Sequence, residues 1–312
     1  MLIISILSAA IAFGTALLFA CLGEIVCERA GVLNLGVEGM MLLGALGGVA
    51  TAYWTGSAWL GALGAMLVGG LLSTIHGLLA ISLRANQVVS GLALTIFGTG
   101  LSSFLGQPFV GQVPPPAFSK LPVPLLSELP VLGPILFRQD ALTYVSFAVV
   151  PLLWLWLFRT RPGLNLRAVG ENPATADAMG VGVVHTRYAA VFVGGMLAGL
   201  GGAAISLATN PGWTDNITAG RGWIAVALVI FARWDPRWAA AGAYLFGGVE
   251  ALLFRLQIAG TPVPAPVLSM LPYLLTVLVL VLASLPAALG SGRRAVAAPA
   301  ALGYPYEREQ RA

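Results

Sequence analysis

The sequence predicts an all-α polytopic membrane protein, and three observations carry that reading. The 312-residue chain is 58% hydrophobic and only 9% charged, with a mean hydropathy of +0.89, whereas soluble domains carry roughly 25% charged residues. Apolar runs of about the 20 residues that a spanning helix needs recur along most of the chain. The arginines gather between those runs, as the positive-inside bias of short cytoplasmic loops requires. Counting the runs gives about nine crossings with the N-terminus outside. The net charge of +4 and pI of 9.4 therefore reflect membrane orientation. Nucleic acid is excluded as a partner, because the basic residues lie between spans rather than along one face; the partner composition implies is the lipid bilayer. Of the 16 basic residues only Lys120 is a lysine, and no GxxxxGK[ST] phosphate loop is present.

The first span runs from Met1 to Gly23. It has no basic leader and reads as a retained span rather than a cleaved signal. Cys21 and Cys27 at its end read as small packing residues, not a disulfide or a metal pair. The stretch from Gly23 to Gly48 then sets Glu24, Glu28, Arg29, Asn34 and Glu38 among glycines. The first three can lie at the membrane surface. Asn34 and Glu38 cannot, because apolar sequence resumes at Gly39. Polar, glycine-broken backbone at membrane depth is tolerated only inside protein or along a cavity. Gly31 to Gly39 is thus expected to be a break that opens a short second span, roughly Val37 to Tyr53.

The third span, about Ala58 to Leu83, is rich in glycine for close packing and holds His76. Arg84 marks a turn. The fourth span starts at ANQVVSGLAL, where Asn86, Gln87, Ser90 and Thr95 fall near one helical stripe. Such stripes are either ties between helices or a solute path. Residues 107–140 are proline-rich and poor in positive charge, and are read as an extracytoplasmic loop. A fifth span follows, about Ala141 to Phe158.

The chain is organised around its next polar segment, 159–187. Arg159, Arg161, Arg167 and Arg187 place it in the cytoplasm. Within it Asn172 suits an N-cap, Pro173 the first helical position and Gly180 the helix stop. That describes a short capped helix, either a connector or a docking element. Beyond it, Tyr188 to Thr209 crosses outward. NPGWTDNITAGRG (Asn210 to Gly222) is an outer loop ending in a second glycine-rich break. The apolar run Trp223 to Phe231 is too short to span alone. ARWDPRW is a second basic loop. Ala239 to Gln257 and Val267 to Leu285 close a transmembrane domain of residues 1–290. Arg293, Arg294, Arg308 and Arg311 place the tail, 291–312, in the cytoplasm, and its composition suggests disorder. The two interrupted elements, Asn34 to Gly39 and Gly220 to Gly222, fall in the two halves of the chain. Paired interruptions of that kind point to a substrate site at a repeat interface.

No catalytic constellation is present: the sequence has no HExxH, no metal-ligand cluster and no GxSxG. Glu250 and Arg255 share a span, but a spacing of five does not bring them face to face. Scattered polar residues within spans fit a transport pathway better than an enzyme.

Five stretches occur in order: ERAGVLNLGVEGMM (Glu28 to Met41), ANQVVSGLAL (Ala85 to Leu94), RAVGENPATADAMGV (Arg167 to Val181), GRGWIAVALVIFARWDP (Gly220 to Pro236) and LPYLLTVLVLVL (Leu271 to Leu282). Together they resemble the permease subunits of bacterial ABC importers for nucleosides and simple sugars, within the ribose-type and branched-chain amino acid permease superfamily. The first is most similar to the smaller permease of nucleoside importers. The resemblance implies a multi-pass protein of the bacterial cytoplasmic membrane. It also implies a second, paralogous permease, a cytosolic ABC ATPase with two nucleotide-binding domains and an extracytoplasmic substrate-binding lipoprotein. No cofactor or metal is expected. Glu171, Asn172, Pro173, Ala174, Asp177, Met179 and Gly180 fall on the family's cytosolic coupling loop. The family does not say which residues meet solute. Polarity within spans nominates Asn34, Glu38, Asn86, Gln87, Ser90 and Thr95. Nucleosides are the expected cargo, with simple sugars as the alternative. A stand-alone secondary transporter would need intramembrane acids for ion coupling, and Glu38 and Glu250 are the candidates.

Overall fold

Long apolar runs with few breakers give long helices, and the helices end where glycine, proline or arginine interrupts them. The computed structural model describes residues 2–112, 115–260, 263–288 and 298–308. Helix α1 (Leu2–Arg29) leads through a non-helical stretch to α2 (Val37–Thr55), α3 (Ala58–Gly77) and α4 (Gln87–Gly106). A wider π turn, Leu78–Ser82, extends α3. The proline-rich segment holds a small hairpin, β1 (Lys120–Pro122) antiparallel to β2 (Arg138–Asp140) with Lys120 opposite Asp140, and the short α5 (Leu132–Leu136) between them. Then come α6 (Ala141–Arg159), α7 (Arg161–Glu171), α8 (Pro173–Ala178) and α9 (Val183–Ala204), which a π turn carries to Thr209. The chain closes with α10 (Arg221–Phe231), α11 (Pro236–Ile258), α12 (Ala265–Ser269) and α13 (Leu271–Ala288).

Among the described residues six helices are long and apolar enough to cross a membrane by length and composition: α1, α3, α4, α6, α9 and α11, with α3, α4 and α9 counted to the ends of their irregular extensions. Helix α2 is 19 residues long but carries Glu38 in its first turn. Helix α10 has 11 residues, roughly 16 Å at 1.5 Å per residue, about half a hydrocarbon core.

The core lies where α1, α2, α3 and α9 cross. Helix α2 is enclosed on nearly all sides: Met40, Met41, Leu42 and Ala45 are at most 1% exposed. Glycine allows this density at the α2–α9 crossing. A Cβ on Gly44 would lie 2.4 Å from the Gly199 Cα, so no larger residue fits without moving a backbone. Helices then meet through backbone and small side chains, the usual solution where the surrounding lipid is as apolar as the helix surface.

One end of the bundle is basic. Arg29 and Arg167 both face the Phe158 ring, with guanidinium carbons 5.5 and 5.0 Å from its centroid. Arg29 also donates to the Trp234 carbonyl at 3.2 Å. Helix α7 was not foreseen from the sequence: Thr160 caps it and Pro162 lies in its first turn. Two sequence expectations change at this end. Glu24 and Glu28 are not at a surface but 1% and 2% exposed, because each meets a donor from a neighbouring loop. Glu24 Oε1 accepts the Asn34 amide at 2.9 Å, and Glu28 Oε2 accepts the Trp234 indole N–H at 2.5 Å. The tail, expected to be disordered, is ordered over 298–308. Its backbone joins two glycine backbones, with the Ala301 amide donating to the Gly170 carbonyl at 2.9 Å and the Gly303 amide to the Gly31 carbonyl at 3.4 Å. Arg187, 1% exposed, donates Nη1 to the Tyr304 carbonyl at 3.1 Å. Arg84 pairs with Glu307 at 2.7 Å and Arg308 with Asp177 at 2.9 Å. Arg293, Arg294 and Arg311 lie outside the described residues.

Candidate functional site: two broken elements meeting at Glu38

Residues 30–36 leave a run of backbone donors and acceptors outside any helix, and the polar residues of neighbouring spans answer them one by one. Gln87 Oε1 accepts the Leu33 amide at 2.7 Å. His76 Nε2 lies 3.0 Å from the Leu33 carbonyl, and its Nδ1 lies 3.0 Å from the Ser90 hydroxyl. A neutral ring that donates through Nε2 leaves Nδ1 to accept from Ser90. The Thr95 hydroxyl donates to the Leu35 carbonyl at 2.9 Å, and Asn34 Oδ1 accepts the Gly36 amide at 3.0 Å. Asn34, Gln87, Ser90 and Thr95 are all under 8% exposed. The structure thus gathers four of the sequence-nominated pathway residues on one short segment. Asn86 stands apart. It is the exposed N-cap of α4, its Oδ1 accepting the Val89 amide at 3.1 Å. A cap precedes the first helical residue, so it does not share the stripe that Gln87, Ser90 and Thr95 make.

At the second break the donors are answered by Glu38. Gly220, at φ +80°, turns the chain into α10 without a side-chain cap. Glu38 reaches across from the first turn of α2. Its Oε1 accepts the Thr218 hydroxyl at 2.5 Å and the Gly220 amide at 2.8 Å, and its Oε2 accepts the Gly222 amide at 2.6 Å. A carboxylate among N-terminal amides complements the positive end of the helix. Here it lies at two such ends at once, those of α2 and α10. Gly222 makes the approach possible, since a Cβ there would lie 2.5 Å from the Glu38 Cα. The paired interruptions seen in the sequence are therefore in contact.

Next to this junction Arg221, the first residue of α10, forms an ion pair with Glu250 of α11. The sequence offered Arg255 as the only nearby charge for Glu250. The true partner is 29 positions away on another helix, and no local spacing points to it. Arg255 instead donates to the Ser5 hydroxyl at 2.9 Å.

At the basic end α8 has the caps its sequence predicts. Asn172 Oδ1 accepts the Thr175 amide at 2.9 Å, Pro173 begins the helix, and Gly180 ends it at φ +83°. Ala176 is buried against Val169 and Val183. Ala174 and Met179 are exposed, Asp177 meets Arg308, and Glu171 Oε2 accepts the Ala300 amide at 3.3 Å. Among the described residues no group of His, Cys, Asp and Glu could hold a metal ion.

A helical membrane bundle with two glycine-broken elements meeting inside it defines a transporter subunit rather than an enzyme. Residues 5–282 match the family described as the permease component of the branched-chain amino acid transport system, and the chain belongs to that family. It is 43% identical to the putative glucose ABC transporter permease TsgC13 of Haloferax volcanii, over 97% of this chain and 98% of that protein. It is 38% identical to the nucleoside ABC transporter permease NupC of Lactococcus lactis, over 86% and 89% of the two chains. It is 35% identical to the guanosine ABC transporter permease NupQ of Bacillus subtilis, over 88% and 90%. No solved structure matches. The chain is an ABC transporter permease, a multi-pass protein of the cytoplasmic membrane and not itself an enzyme, its ATPase being a separate subunit.

Proposed function

We propose that this chain is one permease of an ATP-driven importer that carries nucleosides into the cell, paired with a second, paralogous permease. An extracytoplasmic binding lipoprotein delivers the solute. A cytosolic ATPase with two nucleotide-binding domains docks on Glu171, Asn172, Pro173, Ala174, Asp177, Met179 and Gly180. The observation that carries this reading is the Glu38 junction. Two interrupted elements, the 19-residue α2 and the half-length α10, begin at one carboxylate and run in opposite senses, α2 away from the basic end and α10 toward it. That is the arrangement expected of a pathway at a repeat interface. In this reading Asn34, Gln87, Ser90 and Thr95 shape the wall of the pathway by holding the 33–36 backbone. Glu38 fixes the junction, and Asn86 fixes the start of α4. Similarity to NupC and NupQ supports a nucleoside, and similarity to TsgC13 supports glucose as the second reading.

Uptake into proteoliposomes holding both permeases, the ATPase and the cognate binding protein tests the substrate. Labelled guanosine should accumulate on ATP addition and unlabelled glucose should not compete. Glucose uptake without guanosine uptake would transfer the reading to sugars.

About nine crossings, with residues 107–140 outside and 159–187 and the tail inside, complete the proposal. With Cys21 and Cys27 replaced, a cysteine at the exposed Thr175 should react with thiol reagents only from the cytoplasmic face, and one at the exposed Ser119 only from outside. The reverse pattern would invert the topology.

A further inference from the structure

The polar residues that hold the first break spend most of their hydrogen bonds on backbone and on neighbouring side chains, with Gln87 Nε2 left without a partner among the described residues, and a second group of polar side chains lies nearer open space. On the other side of the Glu38 junction is a cavity of about 400 Å³ between α1, α10, α11 and α13. Its walls include Phe13 and Phe254, with Arg221, Glu250, Gln257 and Tyr273 as the polar members. Glu250, Phe254 and Gln257 stand at i, i+4 and i+7 of α11, so one helix face presents them together. Phe13 and Phe254 stack with centroids 5.2 Å apart. The size and the pattern, apolar walls with a few converging polar groups, are those of a small-molecule site.

We propose that this cavity is a solute subsite of the pathway and takes a neutral ring bearing vicinal hydroxyls, the chemistry shared by a ribonucleoside and a hexose. The inference rests on the importer reading above. Charge selects the class. Arg221 and Glu250 neutralise each other, so the cavity offers no net charge to a phosphate, and with the guanidinium engaged by Glu250 and the 217–218 carbonyls it offers no free cation to an amino acid's carboxylate. A half-buried ion pair is poor stabilisation compared with apolar packing, and ionisable residues within a membrane bundle mark function by default.

Geometry supplies the acceptor. Arg221 is committed to the junction, with Nη1 donating to the Ile217 and Thr218 carbonyls at 3.2 and 3.1 Å. Its Nη2 engages Glu250 Oε1, while Glu250 Oε2 carries no hydrogen bond among the described residues. The two side chains are 15% and 20% exposed, enough to be reached from the cavity. A carboxylate oxygen held this way accepts from adjacent hydroxyls, and the phenylalanine faces receive a base or the C–H face of a sugar. Tyr273 ties the cavity to the break, its hydroxyl donating to the Ala219 carbonyl at 2.9 Å. A solute here bears on the same backbone that Glu38 holds.

The test uses the reconstituted four-component importer, at equal amounts of assembled complex and with the binding protein saturated. Four probes are compared: guanosine, 2′,3′-dideoxyguanosine, glucose and 2-deoxyglucose. Wild type should move the fully hydroxylated member of its substrate pair faster, the dideoxynucleoside lacking the whole ribose diol and 2-deoxyglucose one hydroxyl of its ring series. Glu250→Gln keeps the shape and an acceptor for Arg221 but loses the charged acceptor. It should lower that rate about tenfold and bring the two members level. Phe254→Leu should lower both members together, and Leu252→Ala, outside the cavity, should change neither. Unchanged rates and an unchanged ratio in Glu250→Gln would overturn the subsite and leave the cavity to lipid. Wild type moving none of the four would overturn the importer reading itself, and the subsite with it.

Discussion

Replacing Glu38 with alanine should abolish ATP-driven uptake and lower the thermal midpoint of the purified permease more than any other single polar substitution in the bundle. The truncation strips the acceptor from Thr218, Gly220 and Gly222 together. The Thr218 hydroxyl can rotate to another acceptor, but the two amides cannot. Each buried unpaired donor costs about 1–3 kcal/mol, so roughly 2–6 kcal/mol is at stake, a large part of a typical domain's stability. Glu38→Gln should do better than alanine and still fail. Its carbonyl serves one side of the junction, but its NH₂ then faces a donor on the other. Thr218→Ala removes one hydroxyl donor and leaves both amides paired, so it should cost about 1 kcal/mol. Thermal unfolding in detergent, scored beside uptake, reads the order alanine, glutamine, then Thr218→Ala. Equal midpoints for all three would mean that α10 is positioned by packing alone.

How much of this junction the sequence disclosed depends on distance along the chain. Both breaks were legible, because glycine and polar residues inside apolar runs have few tolerable explanations at membrane depth. The caps of α8 were legible residue by residue, since Asn172, Pro173 and Gly180 act on neighbours within a turn or two. Long-range pairing was not. Nothing local says that Glu38 meets residues 218–222, that Glu250 pairs with Arg221, or that Glu24 and Glu28 find Asn34 and Trp234 rather than water. The stripe on α4 was legible as polar, though it wrongly included the exposed cap Asn86, and a stripe does not say whether its partner is solute or backbone. For Gln87 and Thr95 the partner is the backbone of residues 33 and 35. The tail misled for a related reason. Its composition suggests disorder when read alone, yet its short turns need only a few docking points, and Gly31, Gly170 and Arg187 supply them from three other parts of the chain.

The tail, a strap across this end of the bundle, also changes what is expected of α8 as the proposed docking helix. Asp177 is the only acid on α8, and Arg308 already engages it. Arg308 is 80% exposed, so the pair is worth at most about 1 kcal/mol, and Arg308→Ala should leave ATPase docking nearly unchanged. Met179 is the stronger lever. It closes α8 with its side chain 80% exposed, an apolar group on a two-turn helix whose opposite face is fixed by Ala176. An exposed methionine of that kind fits a partner's apolar groove. Met179→Glu puts a charge there without disturbing the permease, because the position is open to solvent. Burying that charge in the groove costs more than the lost contact, and docking should weaken tenfold or more. Gly180→Val acts through the backbone instead. At φ +83° a β-branched residue is strained, so the turn that stops α8 should fray and docking weaken by a smaller factor. Capture of the ATPase subunit by each solubilised variant, with ATP hydrolysis stimulated by the loaded binding protein, should rank Met179→Glu below Gly180→Val and both below Arg308→Ala. Full capture and full stimulation in Met179→Glu would make α8 a connector and move the docking surface to α7 and the strap.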